Sequence, residues 1–136
     1  MKFLTEEWRV KFEERALAKF CEENPPTSIS VRLVECYENV PQLGGKDFWH
    51  LYDIEDGVIE ELDHGNDKND IPKDADFVTF CSYDIVKKIM SGEVSTPRAM
   101  LSGEIKMKGN MVRAMKMLDS YNILQELKCL DGETEW

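Results

Sequence analysis

The sequence predicts a single α+β domain in which helices cover a sheet of five short strands. Three patterns predict this class. Apolar residues recur about every four positions in residues 1–26 and every second position in residues 27–64. In residues 75–118 strand-like and helix-like patterns alternate, with glycine and serine at the boundaries. A chain of 136 residues suffices for one hydrophobic core and leaves too little for two.

A helix is predicted over residues 5–24. Thr5 is suited to cap its first turn, and Pro25 and Pro26 prevent its continuation. We expect a broad apolar face on this helix, and we expect that face to pack on the core. It combines one row of every fourth residue, Trp8, Phe12, Ala16 and Phe20, with an adjoining strip of Val10, Leu17 and Cys21.

An antiparallel meander of three strands is predicted in residues 27–64. Its alternating positions are Ile29, Val31 and Leu33, then Phe48, His50, Tyr52 and Ile54, then Val58, Glu60 and Leu62. Asp56 and Gly57 are typical of the tight turn between the last two strands, because this pair accepts the positive φ angles of a type I′ turn. Residues 39–45 are predicted to be a loop, and residues 64–74 a solvated loop.

The next segment begins with a strand over residues 77–81 that lacks clean alternation. This is typical of a strand buried on both faces, so we place it inside the sheet. Ser82 is suited to begin a short helix that Gly92 ends, and Thr96 to begin another that Gly103 ends.

The last elements are an edge strand and a methionine-rich helix. Residues 104–108 have one apolar and one charged face, which predicts a strand at the sheet edge. Asn110 is suited to open a helix, and residues 119–136 are expected to contain its end and an apolar tail.

Charge and cysteine usage restrict the partners. The chain has 17 Lys and Arg against 27 Asp and Glu, a formal charge of −10. Such a chain would be repelled by nucleic acid, and by anionic bilayer surfaces unless basic residues cluster locally. No apolar run approaches the roughly 20 residues of a membrane span, so we expect no stable membrane insertion. Four scattered cysteines indicate reduced thiols in a cytoplasmic protein.

We find no motif for catalysis, a metal or a cofactor. His50 and His64 have no nucleophile motif beside them, and the acidic loop lacks calcium-ligand spacing. The glycines lack the Lys-Ser/Thr of a phosphate loop. We therefore expect a protein that is not an enzyme and needs no cofactor.

Six methionines lie between residues 90 and 117. Methionine fills irregular cores and also lines surfaces that accept varied apolar ligands. Composition favours a plain core over a ligand cavity, although a plain core would be better specified by Leu, Ile and Val.

The order of signals in residues 75–118 resembles the sterol carrier protein 2 family of lipid-binding domains. The likeness rests on Ala75, Asp76, residues 90–92, Ala99, Gly103, residues 109–111 and residues 114–116. It implies a five-stranded mixed sheet covered by helices, with an apolar tunnel between them. It also implies non-covalent binding and carriage of a fatty acid, fatty acyl-CoA, phospholipid or sterol.

By this resemblance, eleven apolar residues would line the tunnel. They are Phe80, Ile85, Ile89, Met90, Met100, Leu101, Ile105, Met107, Met111, Met115 and Leu118. The chain lacks a final Ser-Lys-Leu, so a peroxisomal location is not implied. An alternative of another class is an interaction module whose cavity is filled by its own side chains, for example by residues 124–130, and which dimerises or docks on an enzyme.

Overall fold

The computed structural model describes residues 1–23 and 30–136, which form five α-helices and five strands. The helices are α1 (Glu6–Glu23), α2 (Tyr83–Met90), α3 (Thr96–Leu101), α4 (Met111–Met115) and α5 (Leu118–Lys128). The strands are β1 (Val31–Val40), β2 (Lys46–Glu55), β3 (Val58–Gly65), β4 (Phe77–Ser82) and β5 (Ile105–Lys108). The predicted α+β class is confirmed.

The five strands form one mixed sheet in the order β3-β2-β1-β4-β5. β1 and β2, β2 and β3, and β4 and β5 are antiparallel, whereas β1 and β4 are parallel. The predicted meander is therefore confirmed, as are the interior position of β4 and the edge position of β5. β1 is the central strand, so its side chains lie where the sheet is most deeply covered.

Helix α1 begins as predicted, because the Thr5 hydroxyl accepts a hydrogen bond from the Trp8 amide at 3.4 Å. The row of every fourth residue is fully buried. The adjoining strip is not, since Val10 and Leu17 are 52% and 51% exposed and Cys21 is exposed. The prediction of a broad apolar face is thus wrong: the helix buries one narrow row. The predicted helix end at residues 24–26, and Ile29, lie outside the described residues.

Both faces of the sheet are apolar, and they are covered differently. The helix face carries the main core, which includes Leu33, Tyr37 and Phe77. The opposite face, here the loop face, carries a smaller cluster around Val34 and Trp49. That cluster is covered by the segment that follows β3. The buried members of this loop-face cluster are Val34, Cys36, Trp49 and Leu51, and the partly buried residues packed against them are Ile71, Ala75, Val78 and Phe80.

The prediction of a solvated loop at residues 64–74 is wrong in part. β3 extends to Gly65, and Ile71 packs on the loop-face cluster. The Trp49 indole N–H also donates to the carbonyl oxygen of Asp67 at 3.0 Å. The buried indole needs an acceptor, and this loop supplies it.

The turn signals are largely confirmed. Asp56 and Gly57 have φ angles of 50° and 77°, as a type I′ turn requires. The Ser82 hydroxyl accepts from the Ile85 amide at 3.4 Å and caps α2. Helix α3 is capped by Ser95 rather than by Thr96.

The predicted methionine-rich helix is divided into two. The Asn110 side chain caps it as expected, accepting from the Arg113 amide at 3.1 Å. The helix then breaks, so α4 ends at Met115 and α5 begins at Leu118. Met117 lies at the break and is buried in the main core. The buried Met117 side chain therefore anchors the start of α5 in the main core.

Within residues 1–23 and 30–136, no helix is both long and apolar enough to cross a bilayer. The four cysteines are free thiols, of which Cys36 and Cys81 are buried, Cys129 is half-buried and Cys21 is exposed.

The narrow buried row of α1 gives a prediction for stability. Phe12→Ala should lower the free energy of unfolding by about 3–5 kcal/mol, because it empties a fully buried site. Leu17→Ala, on the exposed strip of the same helix, is the control and should change it by less than about 0.5 kcal/mol. Denaturant unfolding of both variants measures the difference. Similar losses for both would mean that the strip is buried after all.

Candidate functional site

Two small clefts lie side by side between the helix face of the sheet and helices α2 to α5. Each has a volume of about 30 Å³, which is room for about one water molecule. The first, here the Met90 cleft, has walls that include Cys81, Val86, Ile89, Met90, Thr96 and Ile105. The second, here the Met107 cleft, has walls that include Leu33, Phe77, Met100, Met107, Ala114, Met115, Met117 and Leu118.

Tyr121 separates the two clefts. Its side chain and Thr79 line both of them. The Tyr121 hydroxyl donates a hydrogen bond to Glu35 Oε2 at 2.9 Å, which fixes the ring over the sheet. The continuous tunnel that the resemblance implies is therefore not open here, because its space is divided.

Seven of the eleven predicted tunnel residues line these clefts. Three belong to the Met90 cleft, namely Ile89, Met90 and Ile105, and four to the Met107 cleft, namely Met100, Met107, Met115 and Leu118. Ile85 packs on the edge of the main core without lining either cleft. Met111, in the first turn of α4, is exposed. Whether any of these residues contacts a lipid stays a prediction.

The placement of Phe80 in a cavity under the helices is wrong. Side chains alternate along β4, and Phe77 and Cys81 belong to the core of the helix face. Phe80 therefore lies on the loop face, where it borders an open groove of about 640 Å³. The ammonium groups of Lys68 and Lys108 lie 5.7 and 5.5 Å from its ring centroid.

The placement of Leu101 is also wrong, because its side chain is 91% exposed. Helix α3 is short and buries Thr96 and Ala99 on the sheet side. A residue two positions after Ala99 is turned by about 200° around the helix, so it points to solvent.

A buried ion pair that the sequence patterns did not predict borders the Met90 cleft. Lys128 Nζ, at the end of α5, donates to both carboxylate oxygens of Glu35, on the central strand β1, at 2.6 and 2.7 Å. It also donates to the Tyr37 hydroxyl at 2.8 Å. The two charged side chains are only 2–3% exposed. One signal was available, because Glu35 continues the alternation of Val31 and Leu33 and so occupies a core position.

The pair is stabilised by its own contacts. Burial alone would raise the pKa of Glu35, but the Lys128 ammonium and the hydrogen bonds of Lys128 and Tyr121 hold that pKa below its ordinary value. Burial lowers the pKa of Lys128, and the attraction of Glu35 opposes this effect. A buried carboxylate needs such a partner, since an uncompensated buried charge is strongly destabilising.

A second polar contact continues the network under α1. The Glu13 carboxylate lies 3.0 Å from His50 Nε2, and the Tyr52 hydroxyl lies 3.3 Å from His50 Nδ1. Burial lowers the pKa of His50, so the imidazole is neutral at pH 7. Both ring nitrogens thus have partners, and the histidine serves as a satisfied core residue.

The Cys81 thiol beside the clefts is not activated. Burial raises the pKa of the Cys81 thiol to about 12, so this wall of the Met90 cleft carries a neutral thiol at pH 7. Among residues 1–23 and 30–136, no group of three His, Cys, Asp or Glu side chains is placed to hold a metal ion. The Met107 cleft thus has mainly apolar walls, whereas Glu35, Tyr37 and Gln125 of the polar network form part of the wall of the Met90 cleft.

The ion pair yields a prediction for stability. Lys128→Met should lower the free energy of unfolding by about 3–5 kcal/mol, because it leaves the Glu35 carboxylate buried without its cation. The double variant Glu35→Leu/Lys128→Met should recover most of this loss. Denaturant unfolding of the parent and both variants gives the two differences. A double variant no more stable than Lys128→Met would show that the pair is not what makes the single change costly.

No family model matches the chain, and no curated protein matches it in sequence. Solved structures do match. A crystal structure of sterol carrier protein 2 superposes with a TM-score of 0.66 at 17% identity, covering 96% of this chain and 98% of that one. A conserved hypothetical protein of Thermus thermophilus gives a TM-score of 0.64 at 17% identity, covering 94% of this chain and 86% of that one.

A third match is the solution structure of palmitated SCP2L2 from Aedes aegypti. It gives a TM-score of 0.55 at 14% identity, covering 86% of this chain and 91% of that one. At these identities the likeness is one of fold, and it extends over nearly the whole chain rather than over residues 75–118 alone. The chain has the sterol carrier protein 2 fold.

Proposed function

We propose that this domain binds a long-chain lipid non-covalently between the sheet and helices α2 to α5, and carries it. The ligand classes that we propose are a fatty acid, a fatty acyl-CoA, a phospholipid or a sterol-like molecule. The observation that carries the proposal is the pair of neighbouring clefts under the helices, one with mainly apolar walls and one that the polar network borders, which share Tyr121 and Thr79. Displacement of this one ring would join them into a longer channel.

Burial of an acyl chain can offset the hydrogen bond that such an opening breaks. When the Tyr121 ring leaves its site, its hydroxyl loses the hydrogen bond to the Glu35 carboxylate. A hydrogen bond to a charged group contributes about 1.5–3 kcal/mol. Each methylene group that leaves water contributes about 0.8 kcal/mol. About four buried methylenes therefore offset the hydrogen bond, and a fatty acid has many more.

The wall composition supports the same proposal. Met100, Met107 and Met115 come from α3, β5 and α4 and meet at one cleft. Methionine side chains are flexible and can rearrange around an apolar chain with little strain. The Aedes aegypti protein of the same fold is described as palmitated, which supports a fatty acid as the first ligand to test.

We further propose that the domain performs no covalent chemistry on its ligand. Cys81 is a neutral thiol, and His50 is engaged by Glu13 and Tyr52. Neither is available as a nucleophile or a general base, so the proposed role is binding alone.

One observation favours a second candidate function. At about 30 Å³ each, the clefts are nearly filled by the chain's own side chains. A module with a filled core would work through its surface, by dimerising or by docking on another protein. The two functions differ in saturable uptake of a fatty acid, which the filled module would lack.

A change in the wall of the Met107 cleft tests where the lipid binds. Met107→Glu should weaken binding of a fluorescent fatty acid at least about tenfold, because it puts a carboxylate against the acyl chain. Val58→Glu introduces the same carboxylate at an exposed position of β3, and should bind like the parent. A fluorescence titration measures both dissociation constants, and circular dichroism checks folding. Parent-like binding by a folded Met107→Glu variant would place the lipid elsewhere, and a parent that binds no fatty acid would favour the filled module.

A change at Tyr121, which borders both clefts, tests whether this ring moves when the lipid binds. Tyr121→Phe should tighten fatty-acid binding about tenfold, since the ring can then move without losing its hydrogen bond to Glu35. Tyr83→Phe is the control, because the Tyr83 hydroxyl is buried without a hydrogen-bond partner among the described residues and lines neither cleft. Competition with the same probe compares the affinities. An unchanged or weaker affinity for Tyr121→Phe would mean that the ring does not move on binding.

A further inference from the structure

Charge is distributed very unevenly along this acidic chain. Residues 96–116, which comprise α3, β5 and α4, contain five Lys or Arg and one Glu, a formal charge of +4. The rest of the chain contains 12 Lys or Arg against 26 Asp or Glu, a formal charge of −14. All five basic side chains in this segment, here the basic edge, are exposed.

The basic edge also concentrates exposed apolar side chains. Seven large hydrophobic residues are exposed in the described parts of the chain, and four of them lie in this segment. Leu101 and Val112 are the most exposed of all, at 91% and 68%. Met111 and Met115 are the other two. An exposed apolar group set among basic residues is typical of a surface that meets a partner.

Helices α3 and α4, which carry Leu101 and Val112, lie at the β5 edge of the sheet. Lys106 and Lys108 alternate with Ile105 and Met107 along β5, so they point to the loop face of that edge, and Lys108 lies 5.5 Å from the Phe80 ring centroid there. Met100, Met107 and Met115 line the same cleft, so α3, β5 and α4 lie side by side at the β5 edge of the sheet. Leu101 directly follows Met100, and Val112 lies one turn before Met115. Arg98 precedes Leu101 by three residues and Lys116 follows Val112 by four, so each of these exposed apolar side chains shares a helix face with a basic one.

The basic side chains of this edge are largely uncompensated. Arg113 lies 3.6 Å from a carboxylate oxygen of Asp76. The other four make no ion pair with any carboxylate in residues 1–23 and 30–136; they are Arg98, Lys106, Lys108 and Lys116. The charges of Arg98 and Lys116, on the helices that carry Leu101 and Val112, are thus free to attract an anionic surface.

We propose that the basic edge docks on an anionic lipid bilayer, with Leu101 and Val112 entering the boundary between headgroups and acyl chains. Basic residues near such a surface each contribute to attraction, and apolar side chains anchor the contact. The rest of the chain has a formal charge of −14 and is repelled by the same surface, so this part of the protein faces away from the bilayer. This orientation brings the Met107 cleft to the bilayer.

The charge pattern favours this occupant over others. Another protein edge strand could pair with β5, but the exposed Lys106 and Lys108 oppose association of two such edges. Helix α1 also exposes apolar groups, Val10 and Leu17, but it carries six glutamates against four Lys or Arg, a formal charge of −2. An anionic bilayer would therefore repel α1 and attract the basic edge.

Co-sedimentation with vesicles tests the proposal. We expect the parent to bind vesicles of phosphatidylcholine with about 30% phosphatidylglycerol at low salt, and not vesicles of phosphatidylcholine alone. Binding should fall as salt rises, because the attraction is screened. Leu101→Ser/Val112→Ser and Arg98→Glu/Lys116→Glu should each reduce the bound fraction at least about tenfold. Val10→Ser/Leu17→Ser is the matched control and should bind like the parent.

Three results would overturn the proposal. These are a parent that ignores the anionic vesicles, a Leu101→Ser/Val112→Ser variant that binds them as well as the parent, and a parent dimer that this variant converts to a monomer in analytical ultracentrifugation. The last result would assign the edge to a second copy of the chain. Uptake of a fatty acid from solution is measured separately, so docking stands or fails independently of the proposed lipid binding.

Discussion

The buried contact between Glu35 and Lys128 fixes the arrangement of the site. Glu35 lies on the helix face of β1, the central strand, where water does not reach it. Its charge is compatible with that position only if a cation and hydrogen-bond donors meet it there. Lys128 can do so only if α5 crosses the sheet at this point. The position of α5 in turn places Tyr121 over Thr79, between the two clefts.

Because the ion pair fixes the position of α5, the clefts have two kinds of wall. On the side of β1 and α5, a network of hydrogen bonds and aromatic rings holds the side chains in one arrangement. On the side of α3, β5 and α4, three methionines meet, and a thioether is at most a weak hydrogen-bond acceptor. We infer that a ligand would enter and rearrange the methionine side, while the network side keeps its shape. The basic edge lies on that same methionine side, which gives the two proposals a common geometry.

Much of the fold follows from local patterns. The alternation in β2 and the Asp56-Gly57 turn specify a hairpin without reference to the rest of the chain. The polar face of β5 specifies an edge. These predictions succeed because side-chain period and turn chemistry act over a few residues.

Other features depend on contacts that are distant in the sequence. Lys128 and Glu35 are 93 residues apart, and nothing near either predicts its partner. Phe80 could not be assigned to a face, because β4 is apolar on both sides and only its neighbours in the sheet decide which side meets the helices. Leu101 follows Met100 in a helix of two turns, and packing selects only one of the two for the cleft.

We propose that one acyl chain occupies both clefts at once. Methionine-methyl NMR tests it directly, because Met90 lines one cleft, Met107 lines the other, and Met1 lies beside Glu133 and Glu135, outside both. On titration with palmitate, we expect the Met90 and Met107 signals to shift together and saturate at one equivalent, while the Met1 signal stays in place. Unchanged Met90 and Met107 signals at saturating palmitate, or a shift confined to one of the two clefts, would contradict it.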